Sequence, residues 1–293
     1  MVRRRKMFAS LDEVGAWIKV RDQALVREIY ELSQQKVYDA WESSDVDVKI
    51  SLAFDALELC PANADAIGLL GKFCDVGDAV EHWLYAVRVA ELLHGKPSTK
   101  FDGKGTVRFD DRTYMRVSWG LSDALWKAGR SDEAADHWKA MLLMDGRDGG
   151  GYRYYLSFYY TSKGDWTAAQ KVLPLNSDDG SGWFLYQRAL LGFMKKKPKA
   201  DAWAREAIEC NRFVVELMPL LHEFEVAEVD SYSHGGLYEA LVYVKRARDG
   251  WVHDPEAIQW LYGIERLMLR EQREVRTQEL VAKGVLRLEG GPT

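Results

Sequence analysis

A stripe of small and aromatic residues recurs along this chain, and it constrains the fold more than any other feature. Ala79, Trp83 and Ala86 lie at positions i, i+4 and i+7, which form one face of an α-helix. The same offsets hold Ala134, Trp138 and Met141, then Ala200, Ala204 and Ala207, and more loosely Lys49, Ala53 and Ala56. With Ala169 included, the first residues of these sets are separated by 30, 55, 35 and 31 residues. Units of this length bury an apolar face only against their neighbours, so the stripes predict a stack of repeats.

A glycine-containing turn precedes most of these stripes. The turns are Gly77–Asp78, Gly129–Glu133 and Gly164–Trp166, and another amphipathic stretch, such as Ala64–Cys74, stands before the turn. Glycine commonly ends one helix before a second begins, so the predicted unit is helix, turn, helix. The long interval of 55 residues contains a Gly-, Lys- and Asp-rich segment at 94–113, which predicts a loop inserted between two units.

The units resemble the tetratricopeptide repeat (TPR). Leu70-Gly71, Ala79-Trp83-Ala86 and Leu59-Cys60-Pro61 fit the pattern of that family, over about residues 31–215. The chain departs from the pattern in the short turn after Cys74, in Met141 where alanine is usual, and in Gly146 where proline is usual. The resemblance implies an all-α, right-handed superhelical solenoid of about five helix pairs, with an array at 36–215.

A narrower resemblance connects the middle of the chain to TPR proteins related to the suppressor-of-tumorigenicity seven group. It is carried by Arg112 to Arg116, Gly120-Leu121, Leu125-Trp126, Gly129-Arg130, Asp148 to Gly150 and Arg153-Tyr154. This resemblance implies an interaction protein, and it supplies no known catalytic residues to assign to this chain.

The segments before and after the array do not follow the repeat pattern. Ser10 to Glu13 forms a capping box that opens an amphipathic helix through about Gln35, so residues 1–35 are expected to be an N-terminal capping helix. Residues 216–293 are expected to be a C-terminal helical extension. Within it, Asp254-Pro255 starts a helix of roughly 29 residues, whose second half alternates in charge and is expected to be solvated.

The charge and composition of the chain argue against several classes of protein. The formal net charge of -5 argues against a general nucleic-acid binder. No apolar stretch long enough to span a membrane and no apolar signal core is present, so we expect a cytoplasmic protein without a membrane partner. Three cysteines far apart argue against a disulfide framework. We expect no cofactor, and the sequence does not indicate an oligomeric state.

The best case for an enzyme is a metal-dependent hydrolase that uses His222, Glu223, Asp230 and His234. Histidines and carboxylates are the ligands of hydrolytic metal sites, but their spacing does not match the helical HExxH motif. His82 and His137 precede stripe tryptophans at equivalent places, where neighbouring helices hold them too far apart for one ion. The sequence therefore predicts a protein that is not an enzyme.

The lysine-rich segment 195–199 allows two interpretations. It resembles a nuclear-import or nucleic-acid-binding patch, and it also fits a solvated turn between the two helices of one unit. We favour the solvated turn.

The strongest functional feature is a set of aromatic and charged residues outside the stripes. In TPR arrays the first helices line a concave groove, and the expected groove residues are Arg116, Trp119, Asp123, Trp126, Tyr154 and Phe158. Aromatic residues and arginine are the usual energetic anchors of interfaces. The leading hypothesis is a scaffold whose groove binds a peptide or helix of another protein. The alternative is that the inserted loop or the C-terminal segment covers this face.

Overall fold

The computed structural model describes residues 9–95, 111–220 and 233–283. Within these ranges the chain forms fourteen α-helices and one 3-10 helix, with no strand, so the prediction of an all-α fold is confirmed. The chain divides into two compact units, residues 1–152 and 153–293. Among the described helices, none is both long and apolar enough to cross a membrane.

Seven helices lie wholly within the first unit. They are α1 (Leu11–Lys19), α2 (Gln23–Glu42), α3 (Val46–Leu59), α4 (Ala64–Gly71), α5 (Val76–His94), α6 (Asp111–Lys127) and α7 (Ser131–Met144). The remaining helices are α8 (Tyr152–Ser162), α9 (Trp166–Val172), α10 (Gly182–Met194), α11 (Ala200–Cys210), α12 (Phe213–Leu217), the 3-10 helix (Met218–Leu220), α13 (Leu237–Val252) and α14 (Pro255–Ala282). Helices α2 to α11 thus follow one another as five helix–turn–helix segments. Of the predicted inserted loop at 94–113, residues 96–110 lie outside the described ranges, and α6 already begins at Asp111.

The predicted helix start at Ser10 is confirmed, but the predicted continuous helix to Gln35 is wrong. The Ser10 hydroxyl accepts a hydrogen bond from the Glu13 amide at 3.2 Å, and the Glu13 carboxylate accepts one from the Ser10 amide at 2.6 Å. Helix α1 nevertheless ends at Lys19. Asp22 then caps α2, because its carboxylate accepts the Leu25 amide at 2.8 Å.

The long C-terminal helix is present as predicted. Helix α14 has 28 residues and begins at Pro255, and the Asp254 carboxylate accepts the Glu256 amide at 2.9 Å. Its first half buries Ala257, Leu261 and Ile264 in the core of the second unit. From Leu269 onward almost every described side chain is exposed, which confirms the expected solvated half.

Two of the three predicted glycine turns are confirmed. Gly129 and Gly164 follow the ends of α6 and α8 with φ of +76° and +72°, the left-handed conformation that glycine adopts without steric cost. Gly77 is different, because it lies in the first turn of α5. That turn instead spans the short segment before Asp75, the N-cap of α5.

Most stripe residues are buried, whereas Lys49, Ala79 and Trp83 are half-buried. Trp83 of α5 packs its ring against Gly68 of α4 and Gly120 of α6, where a Cβ would come within 2.2 Å and 2.5 Å of the ring. Trp138 of α7 is 2% exposed, and Ala204 and Ala207 of α11 are fully buried. The Trp83 ring therefore packs α5 against α4, the first helix of its own pair, and against α6, the first helix of the next pair.

Candidate partner-binding face

The N-terminal turn of α4 holds a buried carboxylate that joins three helices. The side chain of Asp65 is 2% exposed, and it forms an ion pair with Arg116 of α6. One carboxylate oxygen accepts the Arg116 Nε–H at 3.0 Å, and the other accepts Nη2 of the same guanidinium. Gln34 of α2 donates to Asp65 at 3.1 Å. The buried charge is thus compensated by a bidentate cation and an amide donor.

Further buried polar groups extend this network between α2 and α4. Asn63 caps α4 by accepting the Ala66 amide at 3.0 Å, and its Nδ2 donates to the Ser33 hydroxyl at 2.8 Å. The Ser33 hydroxyl donates to the Ala56 carbonyl at 2.7 Å, which connects α3 as well. Because these groups are buried and satisfied, they fix the relative positions of the helices that carry them.

Tyr30 closes the network on the other side. Its hydroxyl lies 3.0 Å from the Thr113 hydroxyl of α6, and burial, followed by the negative charge of Asp65, raises its pKa. The pKa of Arg116 also rises. Burial lowers it, but the hydrogen bonds and attraction to Asp65 outweigh that effect. Tyr30 stays neutral and Arg116 stays charged at any physiological pH.

An exposed aromatic pair lies beside this network. Tyr38 and Trp41 of α2 are 41% and 36% exposed, and their ring centroids are 5.5 Å apart. The guanidinium carbon of Arg116 lies 5.5 Å from the centroid of the Trp41 ring. We call Tyr38, Trp41 and Arg116 the Trp41 face. It presents two rings and a fixed cation together.

Sequence reasoning found Arg116 but missed the two rings. A signal was available, because Gln34, Tyr38 and Trp41 repeat the i, i+4, i+7 offsets on one face of α2. The missed residue Asp65 had no comparable signal. Its role as the partner of Arg116 depends on a contact between residues 51 positions apart.

The other predicted groove residues of α6 are less open than expected. Trp119 is half-buried. Asp123 is buried and pairs with Lys127 at 2.9 Å, so its predicted place on an open groove is wrong. Trp126 is half-buried and packs its ring on Trp138, with centroids 5.5 Å apart. The ring contact gives Trp126 a part in the packing of α6 against α7, whereas the ion pair of Asp123 lies within α6.

The predicted residues of α8 lie in the second unit, where they take part in its packing. Tyr154 is half-buried, donates a hydrogen bond to the Asp179 carboxylate, and lies 3.0 Å from the Ser181 hydroxyl. Phe158 is 1% exposed, so its predicted role at an open groove is wrong. Tyr243 of α13 covers it, with ring centroids 5.8 Å apart. The C-terminal extension therefore covers this part of α8, which was the alternative left open by the sequence.

The approach of α13 to α8 depends on a glycine. A Cβ at Gly250 would lie 2.5 Å from the Thr161 hydroxyl oxygen, which is closer than any real contact. The predicted adjacency of Arg116 and Tyr154 across one groove concerns residues of different units, and it stays a prediction.

Three of the four residues of the hydrolase hypothesis, His222, Glu223 and Asp230, lie outside the described residues. His234 is described, and its Nδ1 lies 3.2 Å from Glu239, whose carboxylate is buried and also accepts the Asn211 amide at 2.8 Å. Across the described ranges, no group of three histidine, cysteine or acidic side chains is arranged to hold a metal ion.

Comparison with known proteins adds no family to this description. No family model matches the chain, and no curated protein is significantly similar to it.

Proposed function

We propose that this chain is a TPR-type scaffold, a right-handed superhelical array of about five helix pairs, whose first helices bind a peptide or helix of another protein. Support for the array comes from five consecutive helix–turn–helix segments and from contacts between successive first helices, α2 with α4 and α4 with α6. The burial of most stripe residues at the predicted offsets adds to this support.

The observation that carries the binding function is the Trp41 face. Exposed aromatic rings next to arginine are the composition of interface hot spots, and they are costly to leave in contact with water. Asp65 holds the guanidinium of Arg116 in place before any partner arrives. A fixed side chain loses little conformational entropy on binding, so this arrangement favours affinity. Trp119, half-buried on α6, is the predicted residue most able to extend the face.

The test compares two exposed rings of the first unit. The tagged full chain is used to capture partners from its native cells, mass spectrometry identifies them, and the affinity of the purified partner is then measured. Trp41→Ala is expected to weaken binding by about 2 kcal/mol or more. The control is Phe73→Ala, because Phe73 is 38% exposed but lies outside the Trp41 face. Its expected effect is below about 0.5 kcal/mol.

Circular dichroism of both variants separates loss of binding from loss of folding. Equal affinities of Trp41→Ala and the unmodified chain, with folding intact in both, would refute the Trp41 face as the binding site.

A further inference from the structure

The turn between α10 and α11 carries four lysines in five residues. Within the described part of the chain, no ion pair involves any of them; they are Lys195, Lys196, Lys197 and Lys199. The whole chain carries a net charge of -5, so this concentration of positive charge is local. Like charges this close repel one another, which costs folding free energy unless a partner neutralises them.

The turn is held in a defined conformation. Lys196 donates its amide to the Phe193 carbonyl at 2.9 Å, and Lys197 donates to the Gly192 carbonyl at 2.8 Å. These bonds close the end of α10, and Lys196 occupies the left-handed position, with φ of +50°. The lysine backbones are therefore fixed between two packed helices, and they do not form an extended segment of the kind that a linear nuclear-import signal presents.

Two residues of this turn are not of the types that such positions usually prefer. Lysine stands at the left-handed position where glycine is preferred, and Lys199 is the N-cap of α11 without a side-chain cap. The nearest acid in the sequence, Asp201, accepts a hydrogen bond from the Trp260 indole of α14 at 2.8 Å. Local conflicts of this kind are expected where a functional demand competes with stability.

The surroundings of the turn restrict the kind of partner. Phe193 stacks on Trp260 with ring centroids 4.8 Å apart, so the contacting face of each ring is not available to a base. In the described chain between Leu143 and Leu237 there is no exposed large hydrophobic side chain that could insert into a bilayer. Glu206 of α11 is paired with Arg188 at 2.5 Å, whereas the exposed carboxylate of Glu209 on the same helix would repel a long polyanion that extends beyond the turn.

We propose that the lysine turn, residues 195–199, is a docking site for a short run of acidic residues in a partner protein. The four ammonium groups attract carboxylates over a limited length, because they occupy five residues of one turn and Glu209 further along α11 opposes a longer acidic ligand. This site belongs to the second unit and does not depend on the Trp41 face of the first.

Fluorescence anisotropy of a labelled oligoglutamate peptide, titrated with the full chain, tests this proposal. The test variant replaces Lys195, Lys196, Lys197 and Lys199 by glutamine. The matched control replaces the exposed and unpaired Lys19, Lys72, Lys171 and Lys245 by glutamine, which changes the net charge equally. The test variant is expected to lose about tenfold in affinity, whereas the control changes it less than about twofold. Added salt is expected to weaken the binding of the unmodified chain.

Several outcomes would overturn the proposal. Equal loss in both variants would show attraction to overall charge alone, and binding that neither variant weakens would show that the peptide does not bind through the lysine turn. A single-stranded oligonucleotide or phosphatidylserine vesicles bound more tightly through the same lysines would assign the turn to nucleic acid or membrane instead. Circular dichroism of the test variant checks that its loss of affinity occurs in a folded chain.

Discussion

Backbone conformation at single positions determines where this chain turns. Gly129 and Gly164 adopt positive φ without steric cost, whereas Lys196 and Asp148 adopt it with a Cβ, at φ of +50° and +53°. At Asp148 a hydrogen bond offsets this steric cost, because the carboxylate accepts the Tyr152 amide at 2.6 Å. Lys196 has no such side-chain bond, so its conformation is a net cost.

Replacing Lys196 by glycine is therefore expected to raise the free energy of unfolding by about 0.5–1 kcal/mol. Urea denaturation followed by circular dichroism measures it. Asp148→Gly is the control, since it relieves the same strain but loses the bond to Tyr152 and is expected to give no gain. A stabilisation of equal size in both variants would show that the bond to Tyr152 contributes nothing.

His137 makes the stability depend on pH. Burial lowers its pKa, and the nearby carboxylates of Asp136, Glu133 and Glu91 only partly oppose this shift. Because the folded state disfavours the charged imidazole, the unfolded chain binds more protons as pH falls below the ordinary histidine value of about 6.5. The free energy of unfolding is expected to fall over that range. His137→Gln should reduce this slope in denaturation curves measured at several pH values, and an unchanged slope would rule out His137 as its source.

Among the elements, helix pairs are joined by rings that occupy the space left by glycines. Trp83 of α5 lies against Gly68 and Gly71 of α4 and against Gly120 of α6. This one ring therefore connects a helix to its own pair and to the first helix of the next. The contact explains why a large aromatic side chain stands in this stripe while small residues stand opposite it.

Gly120→Ala is expected to destabilise the chain by about 2 kcal/mol, because the added methyl would overlap the Trp83 ring. Gly77→Ala in α5 is the control, since a Cβ added there would have no atom within 4 Å. Alanine there is expected to stabilise slightly, by about 0.5 kcal/mol, through helix propensity. Thermal unfolding compares the two variants, and equal melting temperatures would show that the ring moves aside without cost.

The ion pair between Asp65 and Arg116 also joins α4 to α6, through electrostatic attraction and not through ring packing. Arg116→Ala is expected to cost about 3 kcal/mol, because it leaves the buried Asp65 carboxylate without its cation. Adding Asp65→Asn should recover about 1 kcal/mol or more, since the amide carries no charge. Urea denaturation of the single and double variants measures this coupling. Simple additivity of the two substitutions would contradict it.

At the scale of the whole molecule, the two compact units each have their own core. Trp138 belongs to the core of the first unit, and Tyr243 and Trp251 of the C-terminal extension belong to that of the second. Exposed rings such as Trp41 are outside both cores. Tryptophan residues therefore lie in different environments, either buried in a core or exposed to solvent. Substitution by alanine can distinguish an effect on stability from an effect on binding.

Trp138→Ala is expected to lower the free energy of unfolding by about 3 kcal/mol or more, because it opens an internal cavity. The half-buried Trp119 should cost less stability when replaced by alanine, and about 2 kcal/mol or more of partner binding if it extends the Trp41 face. Chemical denaturation and partner titration of both variants measure the two effects. If Trp119→Ala unfolds the chain as severely as Trp138→Ala, Trp119 is a core residue and not part of a binding face.

The sequence by itself determined the features that depend on neighbours along the chain. Helix periodicity, the cap at Ser10, the start of α14 at Pro255 and the turns at Gly129 and Gly164 follow from residues a few positions apart. The break between α1 and α2 is also local, and the acid at Asp22 was its signal.

Only the tertiary structure decided which side chains remain in contact with solvent. Phe158 and Trp41 are both large rings on first helices, yet Tyr243 covers Phe158 from a helix 85 residues away, while Trp41 stays exposed. Arg116 likewise depends on the distant Asp65 for its position. Exposure is set by what packs from elsewhere in the chain, and a helical periodicity contains no information about that packing.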